Sequence, residues 1–191
     1  MYSIIEYYER KLHAMPIETI DVYDLKHISY LSAAKCEDFS EAAAVCLDYH
    51  QHSQEVLLSL NIGTKHKQFK LIWKEVTQKI RDSRNDMDYT VESGAYCLAM
   101  LVIQRLTDYM VIKQSKKGTG FDYWIGKTPI DTSFQEEARL EVSGILKGTK
   151  GRINQRLKEK VAQTNKSDNM GLPAFIVVVE FSNPTIKIIQ K

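Results

Sequence analysis

The chain has 191 residues, an apolar share of 43%, a charged share of 26% and a formal net charge of only +2. That length suits one compact unit, or one unit with a helical extension, and can bury a real core. The near-neutral charge excludes a generally polycationic protein, so any basic surface has to be local. The longest apolar runs, 96–103 and 174–179, fall far short of the about 20 residues that span a bilayer, so no membrane partner is expected.

Cys36, Cys46 and Cys97 are odd in number, widely spaced and without a CxxC pair. Neither a disulfide framework nor a zinc ribbon is implied, and the thiols read as reduced and mostly buried. The first residues, Met1-Tyr2-Ser3-Ile4-Ile5-Glu6, lack the basic start and apolar stretch of a secretory signal, so the expected location is the cytoplasm.

Residues 1–54 read as helical: a first short helix broken by Pro16, then a longer one over 24–49, with Ser40 as an N-cap before Glu41-Ala42-Ala43-Ala44. Tyr2, Tyr7, Tyr8 and Met15 read as helix-packing residues, at a contact within the chain or with a protein partner such as a second copy. From Glu55 the period changes. Residues 55–60 and 69–73 are rich in strand formers and flank Asn61-Ile62-Gly63-Thr64-Lys65, which predicts a hairpin. A polar helix over 74–84 follows, ended by the turn-like Asn85-Asp86-Met87-Asp88.

Residues 90–106 place Val91, Ala95, Leu98, Ala99 and Val102 on one helical stripe and predict a buried core helix. Aromatic and β-branched residues then predict strands at 109–113 and 121–125 around the basic turn Lys116-Lys117-Gly118-Thr119-Gly120. After a loop with Pro129 and Asp131, residues 138–144 alternate strictly: Leu140 and Val142 face the core, and Arg139, Glu141 and Ser143 face the other way. Residues 151–164 predict an amphipathic helix. Ile153, Leu157 and Val161 form its apolar stripe, with Arg152, Arg156, Lys160 and Gln163 beside it. The nearly continuous apolar run 174–181 predicts a strand buried on both faces, and 185–189 one more. The expected fold is α/β in the α+β sense, a mixed central sheet with flanking helices. The expected organisation is a single domain over 1–191, made of a helical N-terminal extension (1–54), a hairpin and helix (55–88) and a core (89–191).

From residue 90 onward the order is helix, strand, strand, strand, helix, strand. Glu92 stands in the first helix, Asp122 in Gly120-Phe121-Asp122-Tyr123-Trp124 and Glu141 in Leu140-Glu141-Val142-Ser143. This stretch, roughly the last hundred residues, resembles the core of the PD-(D/E)XK, or restriction-endonuclease-like, nuclease superfamily. The resemblance implies hydrolysis of DNA or RNA phosphodiesters, with Asp122 and Glu141 as Mg²⁺ ligands and Glu92 as a further catalytic carboxylate. Such chemistry needs a hard cation to stabilise charge on phosphate oxygens and to activate a water. Mg²⁺ takes one or two carboxylates and keeps several waters.

One position departs from the pattern: Ser143 stands where the family carries lysine. Lys160 on the following helix, or Lys127 after the second strand, is the candidate replacement. Lys116, Lys117, Arg152, Arg156 and Gln163 are the candidate contacts to nucleic acid. Simpler roles stay open. Asp122 also reads as a strand-end turn residue, Glu141 as an ion-pair partner of Arg139 or Arg156, and Glu92 as a first-turn acid favoured by the helix dipole. The functional expectation is a metal-dependent nuclease. The alternative is a nuclease fold without catalysis that serves as a binding or regulatory subunit.

Three further patterns carry less. Gly126-Lys127-Thr128 follows Gly120 by one residue too many for a GxxxxGK[ST] phosphate loop. Cys46, Asp48, His50 and His52 suggest zinc, but no second cluster completes a four-ligand set. Phe121, Tyr123 and Trp124 offer faces on which bases stack, but strand alternation favours core packing.

Overall fold

The computed structural model describes residues 17–127 and 137–191. The first short helix, with Tyr2, Tyr7, Tyr8 and Met15, and the loop positions Thr128, Pro129 and Asp131 lie outside the described residues.

Eight strands form one mixed sheet in the order β1-β3-β2-β8-β7-β6-β5-β4. They are β1 Glu18–Asp21, β2 Glu55–Ile62, β3 Lys65–Ile72, β4 Met110–Gln114, β5 Tyr123–Gly126, β6 Ala138–Ile145, β7 Ala174–Glu180 and β8 Thr185–Gln190. The α-helices among the described residues are α1 Ala33–Tyr49, α2 Gln78–Ser83, α3 Met87–Thr107 and α4 Lys150–Thr164. This is the mixed sheet with flanking helices that the sequence predicts.

The N-terminal region corrects the expected helical extension. Glu18–Asp21 is a strand, parallel to β3 at the sheet edge. Val22–His27 is a 3-10 turn, capped by the Asp21 carboxylate, which accepts from the Tyr23 amide at 2.9 Å. The long helix starts only at Ala33, behind Ser32, whose hydroxyl accepts from the Lys35 amide. Ser40, expected as the cap, lies buried inside α1 and donates to the Val22 carbonyl at 2.6 Å. Its neighbours have cap-like composition, but a serine inside a helix that finds a distant acceptor satisfies its hydroxyl equally well. The hairpin is tighter than expected. Ile62 pairs directly with Lys65, and Gly63 supplies the left-handed backbone, at φ +57°, that a two-residue turn needs. The polar helix shrinks to Gln78–Ser83.

Period-2 alternation assigns the two faces of the sheet. Leu60, Phe69, Leu140, Val142, Phe175 and Val177 join α1 and α3 in the main core. On the opposite face Ile145, Ala174, Ile176 and Val178 pack against Ile153 and Leu157 of α4. β7 is buried along its whole length, with α3 on one face and α4 on the other, which accounts for its unbroken apolar run. β6 and β7 are parallel, so α4 is the crossover between them. α3 approaches β6 closely at Gly144, where a Cβ would lie 2.4 Å from the Val91 carbonyl oxygen. The three cysteines are buried and free. No helix among the described residues is long and apolar enough to cross a membrane.

Candidate active site

β5 pairs with β6 only at Tyr123↔Leu140, Trp124↔Arg139 and Ile125↔Ala138. β6 therefore runs on past the start of β5 with an open edge, and Asp122 stands at the fork. Its amide donates to the Leu140 carbonyl at 2.9 Å, and its Oδ2 accepts from the Val142 amide at 2.8 Å. The carboxylate thus takes the ladder position that a longer β5 would fill. The approach to Asp122 is set by Gly120, at φ +88°. A Cβ there would lie 2.5 Å from the Gln163 carbonyl oxygen, so glycine alone lets this loop reach the end of α4.

Glu141, on the α4 side of β6, is fully buried. Its Oε1 accepts from Lys160 Nζ at 2.6 Å and from Gln163 Nε2 at 2.9 Å, and Lys160 also donates to Gln163 Oε1 at 3.2 Å. Its Oε2 has no hydrogen-bond partner among the described residues. The next outward position is also served from α4: Arg156 Nη1 donates to Ser143 Oγ at 2.9 Å. Two cations one helical turn apart therefore stand over residues 141 and 143.

Asp122, Ser143, Arg156 and Lys160 line one pocket of about 310 Å³, together with the open β6 edge and with Asp88, Glu92 and Tyr96 of α3. Glu141 lies behind it, holding Lys160. Glu92 is exposed on the α3 wall and accepts from the Tyr96 hydroxyl at 3.0 Å. Burial raises the Asp122 carboxyl above its ordinary value, against the pull of the Val142 amide and the Lys160 charge. Burial first, and the Asp122 charge second, push Glu141 up to about 7, with Lys160 pulling the other way. Burial of two neighbouring carboxyls disfavours ionising both, and positive charge beside them works the other way. Among the described residues no group of three or more His, Cys, Asp or Glu side chains forms a metal cage, but Mg²⁺ needs only one or two carboxylates with waters around them. Two hard oxygen donors, one with a buried oxygen that no N–H donor among the described residues engages, fit that ion.

The structure sorts the expected site residues. Asp122, Glu92, Arg156 and Lys160 meet in the pocket, and Glu141 backs it. Gln163, expected at nucleic acid, binds Glu141 instead. Lys116 and Lys117 are exposed on the β4–β5 connection and Arg152 is exposed in the first turn of α4, and none of the three lines the pocket. Lys127 follows the opposite end of β5 from Asp122, so the nearby cations come from α4. Glu141 pairs with Lys160 rather than with Arg139 or Arg156. Arg139 is occupied elsewhere, donating to Ser167 Oγ and the Leu172 carbonyl at 2.7 Å each and to Asp168 Oδ1 at 3.2 Å. Sequence reasoning missed Asp88 and Tyr96. With Glu92 they make an i, i+4, i+8 row on α3, which helical numbering alone reveals.

The zinc pattern resolves into structural contacts. His50 Nε2 lies 2.7 Å from the Leu146 carbonyl oxygen and His52 Nε2 2.9 Å from that of Phe181, while burial pushes the Cys46 thiol up to about 12. These side chains tie the end of α1 to the ends of β6 and β7. Phe121 and Tyr123 are buried, and Trp124 packs edge-on against Phe121 at 4.7 Å, as alternation favours. Comparison with protein-family models, curated proteins and solved structures finds no match to this chain. The site's own geometry carries the functional argument.

Proposed function

We propose that this protein is a metal-dependent nuclease of the restriction-endonuclease-like type, acting in the cytoplasm on DNA or RNA phosphodiesters. The observation that carries the reading is the meeting of Asp122, Glu141 and Lys160 at the open edge of β6, with one buried Glu141 oxygen that no N–H donor among the described residues engages. Asp122 and Glu141 would hold Mg²⁺, which when bound supplies charge stabilisation to phosphate oxygens and lowers the pKa of a water. Lys160 and Gln163 fix the other Glu141 oxygen and favour its ionised form. Arg156, braced by Ser143 and by Glu159 at 3.3 Å, presents a planar cation to the phosphate. Glu92, which accepts from the Tyr96 hydroxyl, would accept a proton from the attacking water.

Asp122→Asn and Glu141→Gln remove charge with little change of volume. Each is expected to lower Mg²⁺-dependent cutting by at least about a hundredfold while leaving the protein folded. Cutting at the wild-type rate by both variants would refute the reading. One observation favours a second reading, a nuclease fold that binds nucleic acid or a protein partner without cutting: Lys160 already neutralises Glu141 from within. That reading expects no cleavage with Mg²⁺ or Mn²⁺, and binding that survives Asp122→Asn.

A further inference from the structure

Residues 147–160, Lys-Gly-Thr-Lys-Gly-Arg-Ile-Asn-Gln-Arg-Leu-Lys-Glu-Lys, carry six cations against one acid in a chain whose net charge is only +2. The pocket above uses Arg156 and Lys160 of these. A second cleft, of about 760 Å³, opens on the other flank of α4, between that helix and the outer face of β2 and β8. Its walls carry Lys150 and Asn154 from α4, Thr185 and Lys187 from β8, and Ser59 and Asn61 from β2. Ammonium, amide and hydroxyl groups of this kind match the phosphate and sugar oxygens of a nucleic-acid backbone.

The charge of the cleft is open to a ligand. Lys187 Nζ donates to Asn154 Oδ1 at 2.6 Å, a neutral acceptor that leaves the positive charge uncancelled. Lys150 is exposed. The acid in the wall, Glu180, is buried and accepts from the Gly148, Ser182 and Asn183 amides and from the Ser182 hydroxyl, so its oxygens are engaged by the protein itself.

Both clefts are bordered by α4 and by the segment that leads into it. The chain leads from Gly144 in the first to Gly148 in the second, and α4 turns Arg156 to one while it turns Lys150 and Asn154 to the other. A strand crossing the first turns of α4 passes from one to the other. We propose that the cleft between α4 and the β2–β8 face is a phosphate-backbone subsite for a single nucleic-acid strand, continuing the strand whose phosphodiester occupies the Asp122 pocket. This rests on the nuclease reading above.

The test is the double variant Lys150→Gln/Lys187→Gln, titrated with single-stranded DNA and RNA of about 4 and about 16 nucleotides without divalent metal, so that nothing is cut. Affinity for the longer strand should fall by about tenfold or more, and the slope of log affinity against log salt should drop by about 1.4, two phosphate contacts' worth. With Mg²⁺ added, kcat/KM on the short strand should stay within about twofold of wild type, because the pocket is untouched. Unchanged long-strand affinity and salt slope overturn the subsite and leave the nuclease reading standing. Wild-type protein that binds neither strand at low salt overturns both. If the double variant loses long-strand binding while Asp122→Asn cuts like wild type, the cleft is upheld and the nuclease site fails. Lysine-dependent binding to phosphatidylserine vesicles that matches binding to the long strand overturns the nucleic-acid assignment.

Discussion

The two faces of β6 are equally buried but are built on opposite terms. Leu140 and Val142, 0% and 4% exposed, enter an apolar core under α3, while Arg139, Glu141 and Ser143, 2%, 0% and 6% exposed, lie under α4. On the first face a side chain is specified by its volume, because the neighbours close around it and offer no polar partner. On the second it is specified by its partners: Lys160 and Gln163 for Glu141, Arg156 for Ser143, and the segment after α4 for Arg139. A core needs only the first kind of face. Keeping charges dry costs stability unless each is paired, and the outward face of β6 keeps two of them beside an acid-rich pocket.

Substitutions on each face should separate these terms. The largest effect is expected for Leu140→Ala, which leaves a cavity under α3 and should cost about 2–5 kcal/mol in denaturant unfolding, equally at acidic and neutral pH. Next comes Arg139→Ala, at roughly 2–3 kcal/mol, since the Thr164 and Leu172 carbonyls each lose a buried cationic donor. Arg139→Lys should recover only part of that loss, because an ammonium lacks the planar fork that spans these acceptors. Gly144→Ala tests the approach of α3: its Cβ meets the Val91 backbone at 2.4 Å, so about 1–3 kcal/mol of strain is expected, with a shift of α3 visible as changed amide exchange over its first turns. A neutral result there would mean that the α3–β6 distance is not fixed by packing.

The core face was legible in the sequence because alternation and helical period report burial directly. Leu140 and Val142, the α3 stripe from Val91 to Val102, and the Ile153-Leu157-Val161 stripe of α4 all lie where their spacing puts them. β1 was not legible: Glu-Thr-Ile-Asp has no apolar alternation to read, and its partner β3 lies far along the chain. The polar face was legible only in part. Resemblance pointed to Asp122 and Glu141, and helical spacing put Arg156, Lys160 and Gln163 on one stripe, but period alone does not say whether a basic stripe faces a ligand or a buried acid. Crossing geometry decides that. The fork at Asp122 depends on β5 stopping short, and Arg139 on a segment almost thirty residues away that folds back over it.

The most diagnostic effect is a pH dependence, and it concerns Glu141→Gln, nearly isosteric and nearly silent in packing. Burial and the Asp122 charge hold the Glu141 carboxyl up at about 7, above the usual glutamate range. A raised acid is protonated in the folded state at pH values where the unfolded chain has already ionised. Its contribution to stability is therefore fully present below the ordinary glutamate pKa of about 4.3 and is lost as pH rises toward about 7. Asp122, raised by the same burial, adds to the loss in the same direction. Glutamine never ionises, so the share of the loss that belongs to Glu141 disappears, while Asp122 stays raised by its burial. The stability of Glu141→Gln relative to wild type should thus improve between about pH 4.3 and 7, while the Leu140→Ala difference stays flat across the same window. Chemical denaturation at a series of pH values reads both. A Glu141→Gln difference as flat as that of Leu140→Ala would show that Lys160 alone keeps Glu141 ionised, and that the outward face of β6 is a closed ion pair rather than a site short of positive charge.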